Sequence, residues 1–292
     1  MPEKVFWGTG SAEGIPNPLC KCPACEKARK MKGKNIRSRS SFRLSEDILL
    51  DFGPDLVTQA QRNGGDLMKL RHVLITHTHY DHFSAFALCQ FAGSYIPPKE
   101  PVAFYFTEEA YEMADYLCHD EMLLRNGFRE TLESGTIRFE KLKFFEEKKI
   151  GDYIVTPLPG RHPGSTEKRS ANYLFEDPEG EALYYGTDTG YYFPETIDFL
   201  KDHPVNTLIT ECTWDENRPW NPESDKHLSL GTLKELLKVL SAQGTLGSFS
   251  RVYVTHISHS HKRTHEELED FMLGWTEFPF KVHIAYDGME IK

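Results

Sequence analysis

Thr76-His77-Thr78-His79-Tyr80-Asp81-His82 is the stretch that decides the fold of this 292-residue chain. The apolar run Val73-Leu74-Ile75 before it predicts a buried strand, and the apolar segment 83–92 after it predicts a buried helix. Neutral imidazole and carboxylate bind divalent transition metals, and a loop at a strand end can direct several of them to one point. The position behind a buried strand argues against a surface cluster of titratable residues or a His-rich tract. The stretch therefore predicts a metal site at a turn between a strand and a helix.

The sequence His77-Thr78-His79-Tyr80-Asp81-His82 resembles the signature motif of the metallo-β-lactamase superfamily. Predicted strands alternate with predicted helices along the chain, which by itself indicates a mixed α/β protein. The resemblance implies the more specific architecture of that superfamily, an αββα sandwich. No linker rich in Gly, Ser or Pro divides the sequence, so we expect one domain over residues 1–292.

Three later segments that predict strands also end in a possible metal ligand, namely His162, Asp188 and His256. Taken singly, such residues are common in loops and turns. In this order, and together with the motif, they match the superfamily pattern. The resemblance implies a first metal bound by His77, His79 and His162. It implies a second metal bound by Asp81, His82 and His256, with Asp188 bridging the two.

A shared carboxylate suits a centre with two metal ions, because its two oxygens can bind both ions and an imidazole cannot. A cysteine at the bridging position marks the zinc β-lactamases, whereas Asp188 points to the glyoxalase and phosphodiesterase branches. The ligand set accepts Zn, Mn, Fe or Ni, so the metals are left open. The resemblance implies hydrolysis by a hydroxide bridging the metals, with Asp81, Asp188 and His227 as catalytic residues.

Three cysteines, Cys20, Cys22 and Cys25, lie within six residues. Three thiols this close suit a tetrahedral zinc site that lacks one ligand, while a disulfide between neighbours at this spacing is strained. The cluster resembles the structural zinc site of the cyclic phosphodiesterases of bacterial phosphonate degradation. That resemblance implies one structural zinc with His259 as the fourth ligand. His261 and His265 remain alternatives.

His227 stands just before a predicted amphipathic helix over residues 228–240. The N-terminus of a helix offers free N–H groups and a positive dipole to an anion, so His227 is placed to bind a phosphate or to protonate a leaving group. Together with this position, the resemblance to the cyclic phosphodiesterases implies a small anionic phosphodiester, cyclic ones included, as the substrate. A tRNA 3′-end-type endoribonuclease and a glyoxalase-type thioester hydrolase of the same superfamily are the alternatives.

The charge and composition of the chain bear on its substrate and on its location in the cell. The formal net charge is −10, and a surface that follows nucleic-acid phosphates is normally basic, so no nucleic acid is expected as a partner. The sequence has no apolar run typical of a signal peptide or a membrane span, and its cysteines do not suggest a disulfide framework. We expect a cytoplasmic protein without a membrane partner, with a homodimer left open. The roles of residues 108–149 and 213–226, which depart from the pattern, are also open.

Overall fold

Two β-sheets of seven strands each lie face to face in the computed structural model, which describes residues 4–93, 98–120, 123, 128–215, 221 and 225–291. The first sheet contains β1 (Lys4–Gly8), β2 (Ser41–Arg43), β3 (Ile48–Leu50), β4 (His72–Leu74), β5 (Val102–Thr107), β6 (Ile137–Leu142) and β14 (Glu290–Ile291), in the spatial order β14-β1-β2-β3-β4-β5-β6. The second contains β7 (Lys148–Ile150), β8 (Tyr153–Gly160), β9 (Ser170–Glu176), β10 (Ala182–Gly186), β11 (Thr207–Glu211), β12 (Arg251–Thr255) and β13 (Val282–Ile284), in the spatial order β13-β12-β11-β10-β9-β8-β7.

Each sheet has a parallel half and an antiparallel half. Strands β3 to β6 run parallel in the first sheet, and β10 to β13 run parallel in the second. Strands β1 to β3 and β7 to β10 pair with their neighbours in antiparallel fashion. Parallel neighbours end at the same edge of a sheet, so the loops that follow them can meet there.

Helices cover the outer faces of both sheets. The described helices are α1 (Pro23–Met31), α2 (Leu56–Arg62), α3 (Ala85–Ala92), α4 (Glu108–Cys118), α5 (Phe128–Glu133), α6 (Pro194–Lys201), α7 (Leu230–Ala242) and α8 (His265–Leu273). Apolar residues of α2 to α5 pack on the first sheet, and those of α1 and α6 to α8 pack on the second. The predicted αββα sandwich is confirmed. Among the described residues, no helix has the length and apolar character needed to span a membrane.

Strand periodicity explains how each sheet serves two cores. Leu74 of β4 lies in the core between the sheets, while the preceding Val73 packs against the outer helices. In β10, Tyr185 likewise lies in the core between the sheets, and Tyr184 packs against the outer helices. Successive side chains of a strand point to opposite faces, so strands covered on both sides are apolar at nearly every position. The rings of Phe42 and Tyr185, stacked with centroids 5.9 Å apart, join the two sheets.

Helix boundaries differ from the sequence predictions where polar side chains cap the ends. Ser84 accepts a hydrogen bond from Ala87 N–H, so α3 begins at Ala85 rather than at 83. Ser229 caps α7 in the same manner, and α7 begins at Leu230 rather than at 228. Helix α4 ends at Cys118, where the His119 ring and backbone N–H both lie within hydrogen-bonding distance of Asp115 O. Residues 121–122 and 124–127 of the segment 108–149, and residues 216–220 and 222–224 of the segment 213–226, lie outside the described residues.

Candidate metal centre

Four loops at the ends of strands bring the predicted ligands together. The motif follows β4, His162 follows β8, Asp188 follows β10 and His256 follows β12. The donor atoms of His77, His79, His162 and Asp188, called here the first cluster, all lie within 4.8 Å of one another. The same limit holds for the second cluster, which consists of Asp81, His82, Asp188 and His256.

Distances within the first cluster identify the atoms that face its centre. His79 Nδ1 lies 3.0 Å from His77 Nε2 and 3.1 Å from His162 Nε2. Asp188 Oδ2 lies 3.4 Å from His77 Nε2. His162 Nδ1 lies 3.0 Å from Lys226 O, to which it donates when protonated there, and this leaves Nε2 as the free donor to a metal.

Asp188 also belongs to the second cluster through the same oxygen. Its Oδ2 lies 3.2 Å from His82 Nε2 and 3.5 Å from His256 Nε2, while Asp81 Oδ2 lies 3.4 Å from His82 Nε2. One carboxylate therefore faces both sets of imidazoles. Asp188 has a φ of 50° and His256 a φ of 53°, a conformation that is uncommon outside glycine and is found at functional sites.

The fit of a metal is supported by buried ring nitrogens that no protein group satisfies. His82 Nε2 and His256 Nε2 are both buried and make no hydrogen bond, although carboxylate oxygens lie close by. Buried polar atoms are nearly always hydrogen-bonded, so such an atom requires an explanation. Imidazole nitrogens and carboxylate oxygens converging on one space form a donor set for divalent metals. The buried His/Asp cluster is thus able to bind metal.

The charges of the cluster follow from its surroundings. Burial, reinforced by the neighbouring His82, lowers the pKa of His77 to about 3, so this imidazole is neutral at physiological pH. Burial alone would raise the pKa of Asp188, but His256, His162 and His227 outweigh it and hold that pKa well below its usual range. For Asp81 the burial effect is likewise outweighed by His82, so its pKa is also lowered. The carboxylates are therefore ionised and the ring of His77 can bind a metal.

Two carboxylates that the sequence analysis did not assign orient the ligands from behind. Asp51 Oδ2 lies 2.7 Å from His82 Nδ1, and Asp51 Oδ1 accepts from both the N–H and the hydroxyl of Thr76. Glu211 accepts from the hydroxyl of Thr213, whose oxygen lies 2.8 Å from His256 Nδ1. Such contacts fix the ring tautomers of His82 and His256 so that Nε2 faces the space that a metal would occupy. The sequence did contain a sign of both carboxylates. Asp51 directly follows one fully buried strand, and Glu211 is the last residue of another.

His227 lies at the same centre, beside two carboxylates and next to the start of α7. Its Nδ1 is 2.8 Å from Asp188 Oδ1 and 3.4 Å from Glu211 Oε2, and the edge of Trp214 contacts its ring. Burial would lower the pKa of His227, but the two carboxylates raise it to about 10. The N–H groups of Leu230 and Thr232 at the start of α7 are bonded within the protein, so the helix N-terminus does not offer them to an anion.

A separate cluster forms from Cys20, Cys22, Cys25 and His259, whose donor atoms also lie within 4.8 Å of one another. His259 Nδ1 is 3.4 Å from both Cys20 Sγ and Cys22 Sγ. The two alternatives are engaged elsewhere, with the His261 ring next to Cys212 O and the His265 ring next to Arg37. Burial opposes ionisation of Cys22, but hydrogen bonds from Cys25 N–H and His259 lower its pKa to about 6. Three sulfurs and one imidazole nitrogen fit a tetrahedral zinc ion.

Comparisons with known proteins agree with this fold. A family model described as "Beta-lactamase superfamily domain" matches residues 46–267. The chain therefore belongs to the β-lactamase superfamily, as a hydrolase of the metallo-β-lactamase fold. A comparison with curated protein sequences finds no match.

Solved structures with the same fold are similar over nearly the whole chain. One is a diphosphatase of the PhnP family, with 20% identity and a TM-score of 0.69 over 99% of this chain and 96% of that one. Another is Zn²⁺-bound PqqB from Methylobacterium extorquens, with 16% identity and a TM-score of 0.72 over 99% of both chains. The short form of human tRNase Z has 16% identity and a TM-score of 0.61 over 99% of this chain and 98% of that one. At these identities the likeness concerns the fold.

Proposed function

We propose that this protein is a metal-dependent phosphodiesterase that hydrolyses small phosphodiesters, including cyclic ones. The observation that carries the proposal is the carboxylate of Asp188, which faces both clusters through Oδ2 and lies beside His227 through Oδ1. Two divalent ions held there would supply a hydroxide at neutral pH and would neutralise the charge that develops on a phosphoryl group. The diphosphatase and the tRNase among the similar structures carry names that denote reactions at phosphate linkages.

Each group of residues has a distinct task in this proposal. His77, His79 and His162 hold one ion, Asp81, His82 and His256 hold the other, and Asp188 fixes the spacing between them. His227, with a pKa raised to about 10, carries a proton at neutral pH in the metal-free protein. It can donate a hydrogen bond to a phosphate oxygen or a proton to the leaving oxygen. The cysteine cluster would hold a structural zinc away from the chemistry.

The charge of the chain favours a small substrate over a tRNA. A formal net charge of −10 opposes a long phosphate backbone, whereas a small anion needs only the local positive field of the metals and His227. A thioester hydrolase would use the same metal site, and the proton donor beside Asp188 is the feature that favours a phosphodiester.

A substrate panel tests the proposal. We expect the metal-loaded protein to hydrolyse bis(p-nitrophenyl) phosphate and a ribose cyclic phosphate, and to act weakly on a precursor tRNA and on a glutathione thioester. Asp188→Ala should abolish hydrolysis, because no shared carboxylate would then hold the two ions at a fixed distance from each other. Asp198→Ala, on the exposed side of α6, is the matched control and should keep full activity. Turnover of the thioester or the tRNA in preference to both phosphodiesters would overturn the proposal.

A further inference from the structure

Glu167 is a buried acidic residue that the proposed chemistry does not use. Only 2% of its surface is exposed, and it lies in the loop between His162 and β9. Among the described residues, no lysine, arginine or histidine forms an ion pair with it. Burying a carboxylate without a counter-charge is costly unless hydrogen bonds compensate it. The hydrogen bonds of the Glu167 carboxylate therefore indicate its role.

The carboxylate of Glu167 is bonded mainly to Thr78, the residue between His77 and His79. Its Oε1 accepts from Thr78 N–H at 2.7 Å, and its Oε2 accepts from the Thr78 hydroxyl at 2.7 Å. Oε2 also accepts from Thr166 N–H at 2.9 Å, within its own loop. The two oxygens thus connect the metal-binding motif to the loop that carries His162.

A second side chain of the same loop completes this contact. Ser165 Oγ donates to Thr78 O at 2.7 Å, so the N–H, the carbonyl and the hydroxyl of Thr78 are all bonded to residues 165–167. The partners are 87 and 89 positions apart in the chain. Thr78 cannot move relative to the His162 loop without breaking three hydrogen bonds.

Gly164 permits this arrangement. A Cβ atom at position 164 would lie 2.2 Å from Glu167 Oε2 and 2.4 Å from Oε1, which is closer than any real contact. The backbone of the turn is closed by Gly164 N–H donating to Glu167 O at 3.0 Å. An alanine at 164 would therefore displace the carboxylate from Thr78, because the end of a flexible side chain moves more easily than the backbone.

We propose that Glu167 is a positioning residue for the first cluster. By fixing Thr78 it sets His77 and His79 against His162, which comes from the same loop as Glu167. The second cluster takes Asp81 and His82 from the end of the same motif, where Asp51 holds the His82 ring, and takes His256 from the loop after β12. It therefore depends less on the contact between Glu167 and Thr78. The inference rests on the proposed assignment of these residues as metal ligands, but not on the identity of the substrate.

The test compares metal affinities rather than rates. Dissociation constants of the two active-site ions are measured by Co²⁺ titration against a chelator, with His162→Ala and His256→Ala as references that identify each ion. Glu167→Ala should weaken the first ion by about tenfold, the lower end for a residue that orients ligands, and leave the second within about threefold. Glu179→Gln, an exposed carboxylate in a turn, is the matched control and should change neither constant.

Two further variants test whether the effect of Glu167→Ala is specific or reflects a general loss of structure. Gly164→Ala should reproduce the selective loss through displacement of the carboxylate, while Glu167→Gln should restore part of it, because the amide oxygen can still accept from Thr78 N–H. Equal weakening of both ions, or no change in either, would overturn the inference. Selective weakening in a protein that hydrolyses no phosphodiester would support the role of Glu167 and reject the proposed function.

Discussion

Asp51, Asp188 and His256 share an unusual backbone conformation at the centre of the protein. Their φ angles are 61°, 50° and 53°. Asp51 and His256 directly follow β3 and β12, and Asp188 is the second residue after β10. A non-glycine residue in this region costs about 1–3 kcal/mol, so it persists only where its surroundings hold it. All three lie at the candidate metal centre, where Asp51 is held by the N–H and hydroxyl of Thr76 and by the His82 ring.

His227 offers the sharpest test at the scale of one residue. In the metal-free protein, Asp188 and Glu211 raise its pKa to about 10, so it can carry the proton that a poor leaving group requires. A p-nitrophenolate leaves without a proton, whereas a sugar alkoxide requires one. We expect His227→Ala to reduce hydrolysis of a ribosyl or alkyl phosphodiester by ~10²–10⁴-fold and that of bis(p-nitrophenyl) phosphate far less. Equal losses on both substrates would make His227 a binding residue only.

The lowered pKa of His265 makes the stability of the fold depend on pH. Burial lowers its pKa to about 4, with the positive charges of Arg37 and Lys34 adding to the effect. The unfolded chain takes up a proton near pH 6.5 and the folded protein only near pH 4, so stability falls as the pH drops through this window.

We expect His265→Gln to lose less of its Tm than the wild type between pH 7 and pH 4.5. Glutamine keeps an acceptor for Arg37, which lies 3.1 Å from His265 Nδ1, but cannot be protonated. His119→Gln, at an exposed position, is the control and should follow the wild type. If His265→Gln also followed the wild type, another group would govern this part of the acid sensitivity.

At the scale of elements, the cysteine cluster joins α1 to the 3₁₀ turn His259–His261. Cys22 and His259 are 237 positions apart, so an ion bound between them closes most of the chain into one loop. We expect Cys22→Ser to lower the zinc content by about one ion per chain and to lower the Tm, because binding energy at such a site stabilises the fold. Cys89→Ser, outside the cluster, is the control for a general effect of removing a thiol. A variant with unchanged zinc content and Tm would contradict the structural role.

The local pattern of the sequence indicated the loops whose donor atoms lie together in the structure. A buried strand followed by His, Asp or Glu is visible without a structure, and it indicated the motif, His162, Asp188 and His256. The αββα layering itself came from the resemblance of the motif to a superfamily, because periodicity alone indicates only a mixed α/β protein.

Contacts between distant residues could not be predicted in this way. Glu167 gave no local signal, because its partner Thr78 lies 89 positions away. The surroundings of His227 were not predicted either, since Glu211 reaches its ring from the end of β11. The exact starts of α3 and α7 were missed because caps depend on the geometry of single side chains.

At the scale of the whole molecule, the fold gathers ligands from both sheets. The motif follows β4 of the first sheet, while His162, Asp188 and His256 follow strands of the second. The core between the sheets, which contains residues such as Phe42, Leu50, Tyr173 and Tyr185, therefore determines how the two halves of the centre meet. A rigid scaffold of this kind holds the donor atoms in position before any ion or substrate binds.

The most direct test of the account is the number of metal ions per chain measured alongside hydrolysis. Purified active protein is treated with increasing chelator, and its bound metal and its turnover of bis(p-nitrophenyl) phosphate are followed together. We predict three ions per chain at full activity, with activity lost as the two active-site ions leave and the ion of the cysteine cluster retained. Full hydrolysis by protein that holds no ion, or only one, at the His/Asp cluster would contradict the account.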